Sequence, residues 1–263
     1  MKLGSLFSGI GGLEMGLVRS IPNLHTVWQV EQNAYCQKVL RKHWSVPIYD
    51  DVRTVGAHNL EPVDILCAGF PCQSISIAGK MKGLEDEEKS GLWWNVHRLV
   101  SEFQSIGRQP ILVLENVANI LRVGGPDVVG SLTAIGYDCE WTTISAAQCG
   151  APHLRKRWFA VAYPSTIGYY LRNELAFANT ISTRTQVQTE GQQPSKQMSG
   201  STSKAYWQGF PTQSPVCRRD DGIPNRVDRL RALGNAVVPQ CAEWIGKQIA
   251  NSGLLEVSCL QHN

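Results

Sequence analysis

The chain has 263 residues, 43% of them hydrophobic and 18% charged, with a formal net charge of +3 at pH 7. That length holds one full α/β domain and a small appendage, and so small a net charge excludes a uniformly basic binder, so that any nucleic-acid face must be local. No apolar run reaches about 18 residues, so no membrane span is expected, and the eight cysteines form neither a C-x-x-C pair nor a cysteine–histidine cluster of zinc spacing, so no metal is expected.

The opening stretch 1–17 superficially imitates an export signal, but Ser, Gly and Glu14 interrupt its apolar run and no cleavage site follows. The protein is read as cytoplasmic, with reduced thiols. Residues 2–8 read as a strand, running into the turn Gly9-Ile10-Gly11-Gly12 and a helix over 13–20. A second strand covers 26–31, a helix with one apolar stripe covers 34–44, and "PIYDDV" is a short strand or loop. The run "VDILCAG" (63–69) is apolar almost throughout, as a parallel strand buried on both faces must be. Pro71 and Cys72 follow it, and then about 19 polar residues (73–91), a length that in a compact domain marks a lid or binding segment. Next come a helix over 91–103, a buried strand "PILVLENV" (110–117), and a helix opened by Pro126 and closed by Gly136. The strands "YDCEWTTISA" and "RWFAVAY" have no helix between them and are expected to pair as a hairpin. Alternation of this kind predicts a mostly parallel sheet with helices on both faces. After Tyr163 the character changes. Residues 179–204 are rich in Ser, Thr, Gln and Gly and are expected to be a flexible insert. Pro239 opens a final helix with Ala242, Ile245 and Ile249 on one face.

Several residues stand where a strand or turn presents chemistry. The glycine turn before a helix suits a ligand that approaches the backbone closely and uses the helix's free N–H groups. Glu31 ends the second strand about 20 residues later, where a carboxylate grips ribose hydroxyls. A tight turn without ligand, or an NAD site, would fit the same residues. Cys72 lies just beyond a central strand, where doubly wound sheets put their ligands, although a thiol there can simply pack. Glu115 ends an apolar strand, which is costly unless the carboxylate is partnered or used. Arg155 and Arg157 alternate and so share a face, although "RKR" also suits a solvated run.

Taken together, "LFSGIGGLEMGL" (6–17), Glu31, Asp51-Val52, "GFPCQSISIAGK" (69–80), "ENV" (115–117), "APHLRKRWF" (151–159) and "LGNAVVPQ" (233–240) resemble the motifs of the DNA (cytosine-5) methyltransferase family. "GIPNRVDRLRALGNAVVPQ" is most like members carried by phages and prophages. The resemblance implies an α/β, Rossmann-like S-adenosylmethionine-dependent methyltransferase fold. It comprises a catalytic and cofactor-binding domain over 1–163, a small target-recognition region over 164–225, and a segment, 226–263, returning to the first domain. It implies a monomer acting on double-stranded DNA, with a cognate restriction nuclease as a conceivable partner.

By the same resemblance Cys72 adds to cytosine C6 as a thiolate, which makes C5 able to accept a methyl group. Glu115 holds a proton at N3. Arg155 and Arg157 steady O2, the nucleophile segment and a flanking phosphate. S-adenosylmethionine, which leaves as S-adenosylhomocysteine, would lie against Phe7, Gly9, Gly11 and Pro71. Glu31 would take its ribose and Asp51 and Val52 its adenine, while Leu92, Asn235 and Ala236 close the pocket. The target base must leave the helix stack, so Gln73, Ser74, Ser76, Lys80 and Lys82 are expected to contact DNA. Arg218 and Arg219 are assigned to phosphate, the alternative being that they only pair with acidic neighbours such as Asp220 and Asp221. The family's glutamine before the paired arginines is His153 here. The same chemistry on RNA, a catalytically idle DNA-binding protein, and an NAD oxidoreductase remain rival readings.

Overall fold

A computed structural model describes residues 1–71, 91–167, 179–181 and 226–256. One sheet collects β1 (Lys2–Leu6), β2 (His25–Val30), β3 (Ile48–Tyr49), β4 (Ile65–Gly69), β5 (Ile111–Val117), β6 (Tyr137–Ser145), β7 (Lys156–Pro164) and β8 (Asn179–Ile181). Their order is β3-β2-β1-β4-β5-β7-β6-β8. The first five pair in parallel. β7 runs antiparallel to both β5 and β6, so β6 and β7 form the expected hairpin. β8 pairs antiparallel with β6 through the first residues of the Ser/Thr/Gln-rich stretch, whose remainder lies outside the described residues.

The helices are α1 (Gly12–Ser20), α2 (Ala34–His43), α3 (Leu92–Ser105), α4 (Ile120–Val123), α5 (Gly125–Ala134), α6 (Arg226–Asn235) and α7 (Pro239–Ser252). Two of them, α4 and α6, have no counterpart in the sequence reading. Among the described residues no helix is long and apolar enough to cross a membrane.

The central strands are buried on both faces, and the period-2 alternation of side chains divides them between two cores. Leu66 and Ala68 of β4, with Leu112 and Leu114 of β5, pack with Trp93, Val96, Leu99 and Phe103 of α3 and with Val128 and Leu132 of α5. Ile65, Cys67, Ile111 and Val113 face the other way, onto Leu13 and Leu17 of α1 and Ala242, Ile245 and Ile249 of α7. A strand clothed on both sides has no polar face, which is why the sequence shows unbroken apolar runs there.

The two helices of the second core approach so closely that side chains are excluded. A Cβ on Gly12 would stand 2.3 Å from the Val237 carbonyl oxygen, and one on Gly16 would stand 2.3 Å from that of Pro239. On α7, a Cβ on Gly246 would meet Ser20 Oγ at 2.0 Å. Pro239 opens α7 at its first turn, where a missing N–H costs nothing. The connector 236–238 is thereby held over the start of α1.

From β1 the chain passes to β2 and β3 on one side, then crosses to β4 on the other. That reversal opens a crevice beyond the carboxyl ends of β1 and β4.

Candidate active site

The crevice is a cleft of about 880 Å³. Phe7, Gly9, Gly12 and Leu13 form one wall, and Glu31, Asp51 and Val52 another. Phe70 and Pro71 follow β4, Glu115 lies near the end of β5, Leu92 opens α3, Arg157 belongs to β7, and Asn235 ends α6 before Ala236 and Val237 of the connector.

β1 ends at Leu6, two residues earlier than the sequence reading placed it, because Phe7 has a φ of 56°, left-handed and strained for a bulky residue. Gly11, with φ 83°, serves as N-cap of α1 without a side-chain cap. The first N–H groups of α1 therefore lack helical partners where Gly12 and Leu13 border the cleft. Glu31 binds this loop from across β2. Its Oε2 accepts from the Gly9 N–H at 2.7 Å and its Oε1 from that of Asn33 at 2.7 Å. Burial raises its pKa, opposed by those two hydrogen bonds. A carboxylate has about four acceptor positions, so capacity remains.

Asp51 is gripped by Arg53, whose Nη2 lies 2.7 Å from Oδ2, and that contact lowers its pKa. Arg98 of α3 donates through Nη2 to the carbonyls of Val52 and Val55 at 3.0 and 2.9 Å, fixing this wall. Sequence reasoning missed Arg98, since nothing local in a helix announces carbonyl partners more than forty residues earlier.

Glu115 is buried at the end of β5, beside Gly69 in the parallel register. A Cβ on Gly69 would come within 3.3 Å of Glu115 Oε2, so the glycine leaves the carboxylate its room. Arg157 Nε lies 3.1 Å from Oε1. That is an ion pair without hydrogen-bond alignment, and Oε1 receives no directed donor. Burial lifts the Glu115 pKa to about 7, against the pull of Arg157 and then Arg155. Asn116 Nδ2 donates to the Phe70 carbonyl at 2.8 Å, tying β5 to the segment leading to Pro71. Arg155 turns elsewhere: its Nη2 donates to the carbonyls of Gly234 at 2.7 Å and Ala236 at 2.5 Å.

The cleft thus gathers Phe7, Gly9, Glu31, Asp51, Val52, Pro71, Leu92, Glu115, Arg157, Asn235 and Ala236, with Gly11 just behind. Cys72, Gln73, Ser74, Ser76, Lys80, Lys82, Arg218 and Arg219 lie outside the described residues. Asp228 and Arg231 of α6 also border the cleft and were not anticipated as cofactor-side residues. Glu14 was missed too: it is fully buried on α1, its Oε1 accepts from Gln29 Nε2 at 3.2 Å, and desolvation raises its pKa.

The family model described as "C-5 cytosine-specific DNA methylase" matches residues 1–207. The chain belongs to this family. It is 35% identical over 167 residues to the type II methyltransferase M2.BsuMI of Bacillus subtilis, covering 62% of this chain and 42% of that protein. It is 38% identical over 160 residues to the type II methyltransferase M.CviJI of Paramecium bursaria Chlorella virus IL3A, covering 60% and 41%. These matches span less than half the length of either relative. The fold is shared with the Entamoeba histolytica methyltransferase EhMeth at a TM-score of 0.60 and 16% identity, over 95% of this chain and 97% of that one. This family member therefore has the mostly parallel, Rossmann-like methyltransferase architecture that its motifs imply.

Proposed function

We propose that the chain transfers a methyl group from S-adenosylmethionine to C5 of a flipped-out cytosine in double-stranded DNA, through a transient bond between Cys72 and C6. The observation that carries this reading is Glu115: a buried carboxyl group with a pKa of about 7, in the same cleft as the glycine loop.

The cleft fits the donor chemically. Its volume lies within the usual range for small-molecule sites, roughly 300–1,000 Å³. The uncapped start of α1 offers N–H groups to a carboxylate. Glu31 retains acceptor positions for hydroxyls, and Val52 and Leu92 supply apolar walls. Bound S-adenosylmethionine would supply the electrophilic methyl group.

On the base side, Cys72 follows Pro71, which lines the cleft. Its thiolate adds to C6, and the ring's electrons move toward N3. Glu115 is poised to give or share a proton there, because near neutrality it holds one about half the time. Arg157 fixes the carboxyl group and stabilises charge gathered beside it. Once C5 has been methylated, its proton leaves to a base and the C–S bond breaks, restoring the thiolate. Extruding the base costs a few kcal/mol, about what a protein–DNA interface can offset.

The test is label transfer from methyl-labelled S-adenosylmethionine to duplex DNA and to tRNA in parallel, with 5-fluorocytosine DNA as a covalent trap. Label in duplex DNA and a trapped adduct are expected. Label in tRNA alone would overturn the DNA assignment, and labelled product without any adduct would overturn the Cys72 step.

A further inference from the structure

The two arginines entering β7 serve different halves of the site. Arg157 places its Nε against Glu115. Arg155 sends its Nη2 to the carbonyls of Gly234 and Ala236, about eighty positions further along the chain. The carbonyls that close a helix have no partner within it. The Gly234 carbonyl belongs to the last turn of α6, and a cation is favoured at that end of a helix by its dipole. Beyond it, the connector to α7 has no regular structure, and the N-cap of α7, Val238, makes no side-chain cap. The guanidinium therefore bridges a helix end and an irregular strand of chain with one nitrogen.

That connector is a wall of the cleft. Asn235, between the two carbonyls, lines it together with Ala236 and Val237, and Val237 stands directly over Gly12 at the start of α1. Arg155 is itself half-buried, and its Nε is buried without an acceptor among the described residues. The two carbonyl bonds, together with the attraction of Glu115, offset its desolvation. Both bonds leave one terminal nitrogen at the far end of the guanidinium, a place that the shorter lysine side chain does not reach from the same backbone position.

The geometry points to Arg155 as a positioning residue for the methyl donor: it holds the α6–α7 connector against the cleft and so sets donor affinity, without touching nucleic acid. This rests on the reading of the cleft as the donor site. It also departs from the motif-based assignment of both arginines to the base and its phosphate.

Arg155→Lys and Arg155→Gln test it, with Arg157→Lys as the contrast. The readouts are the S-adenosylhomocysteine Kd by calorimetry and the steady-state KM values for donor and for duplex DNA. Both Arg155 variants should raise the Kd and the donor KM by about tenfold, with the DNA KM unmoved and kcat at saturating donor falling less than about threefold. Arg157→Lys should show the opposite split, a large loss of kcat with Kd unmoved. A donor Kd within about twofold of the original in both Arg155 variants, or a rise confined to the DNA KM, overturns the proposal.

A measurement on the unaltered protein covers the case in which the variants misfold. S-adenosylhomocysteine should slow amide hydrogen exchange over 233–238. If only duplex DNA slows it, the proposal fails. Unaltered protein that binds no S-adenosylhomocysteine at all would overturn the donor-site reading itself, an outcome distinct from either.

Discussion

Replacing Glu115 with Gln keeps the shape of the side chain and removes its charge. The pKa of Glu115 stands at about 7 instead of 4.5, chiefly because the group is buried. Folding therefore takes up a proton as pH falls through this interval. The stability associated with the neutral carboxyl is fully present below pH 4.5 and is lost as pH rises through 7. The displacement corresponds to about 3 kcal/mol once the group is fully ionised. Gln cannot ionise, so Glu115→Gln should be more stable than the original protein by under about 1 kcal/mol at pH 5 and by about 3 kcal/mol at pH 8. For a chain of this size the pH 8 value is a rise in Tm of about 5–10 °C. Thermal or urea denaturation at the two pH values measures it, and turnover is assayed alongside. Turnover should fall about 10²–10⁴-fold, since an amide can hydrogen-bond N3 but cannot transfer a proton to it. If the variant were less stable at pH 8, or equally displaced at both pH values, Glu115 would be an ionised strut for Arg157 and the catalytic argument would lose its footing.

Three further outcomes follow from the geometry. Gly16→Ala must push α1 away from the Pro239 carbonyl and should cost about 1–3 kcal/mol, read as a lower denaturation midpoint; an unchanged midpoint would mean that the helices do not meet there. Gly11→Ala places a Cβ in the left-handed region at φ 83° and 2.1 Å from the Trp44 ring. It should cost at least about 1–2 kcal/mol and abolish the rise in melting temperature expected when S-adenosylhomocysteine is added to the unaltered protein. Cys72→Ser should keep that thermal response yet form no product and no adduct on 5-fluorocytosine DNA; near-normal turnover would remove the thiolate from the mechanism.

Much of the sheet could be read from the sequence because parallel strands covered on both faces carry unbroken apolar runs, as at Ile65–Gly69 and Ile111–Val117. Glu115 stood out for the same reason, being a carboxylate in a place where only a partner or a use explains it. The last helix was legible from Pro239 and the spacing of Ala242, Ile245 and Ile249. In α6 the signal was short: Val227, Leu230 and Leu233 recur at helical spacing over only ten residues, and the structure leaves Val227 and Leu233 exposed, with Ala232 alone buried. The partners of Arg155 and Arg98 were equally invisible, because carbonyl acceptors leave no trace in residue identity and lie tens of positions away. Glu14 entered the sequence reading only as a break in an apolar run, and the fold reveals that Gln29 meets it inside.

The glycine-mediated contact between α1 and α7 has a consequence during synthesis. Gly12 and the connector that covers it are separated by more than two hundred residues. At a translation rate of about 5–20 residues per second, the glycine loop emerges roughly 10–45 s before the chain that closes over it. Through that interval a nascent polypeptide displays a half-built pocket with an uncovered apolar flank. Ribosome-bound intermediates should therefore be unable to retain the methyl donor and should engage chaperones until the final helix docks.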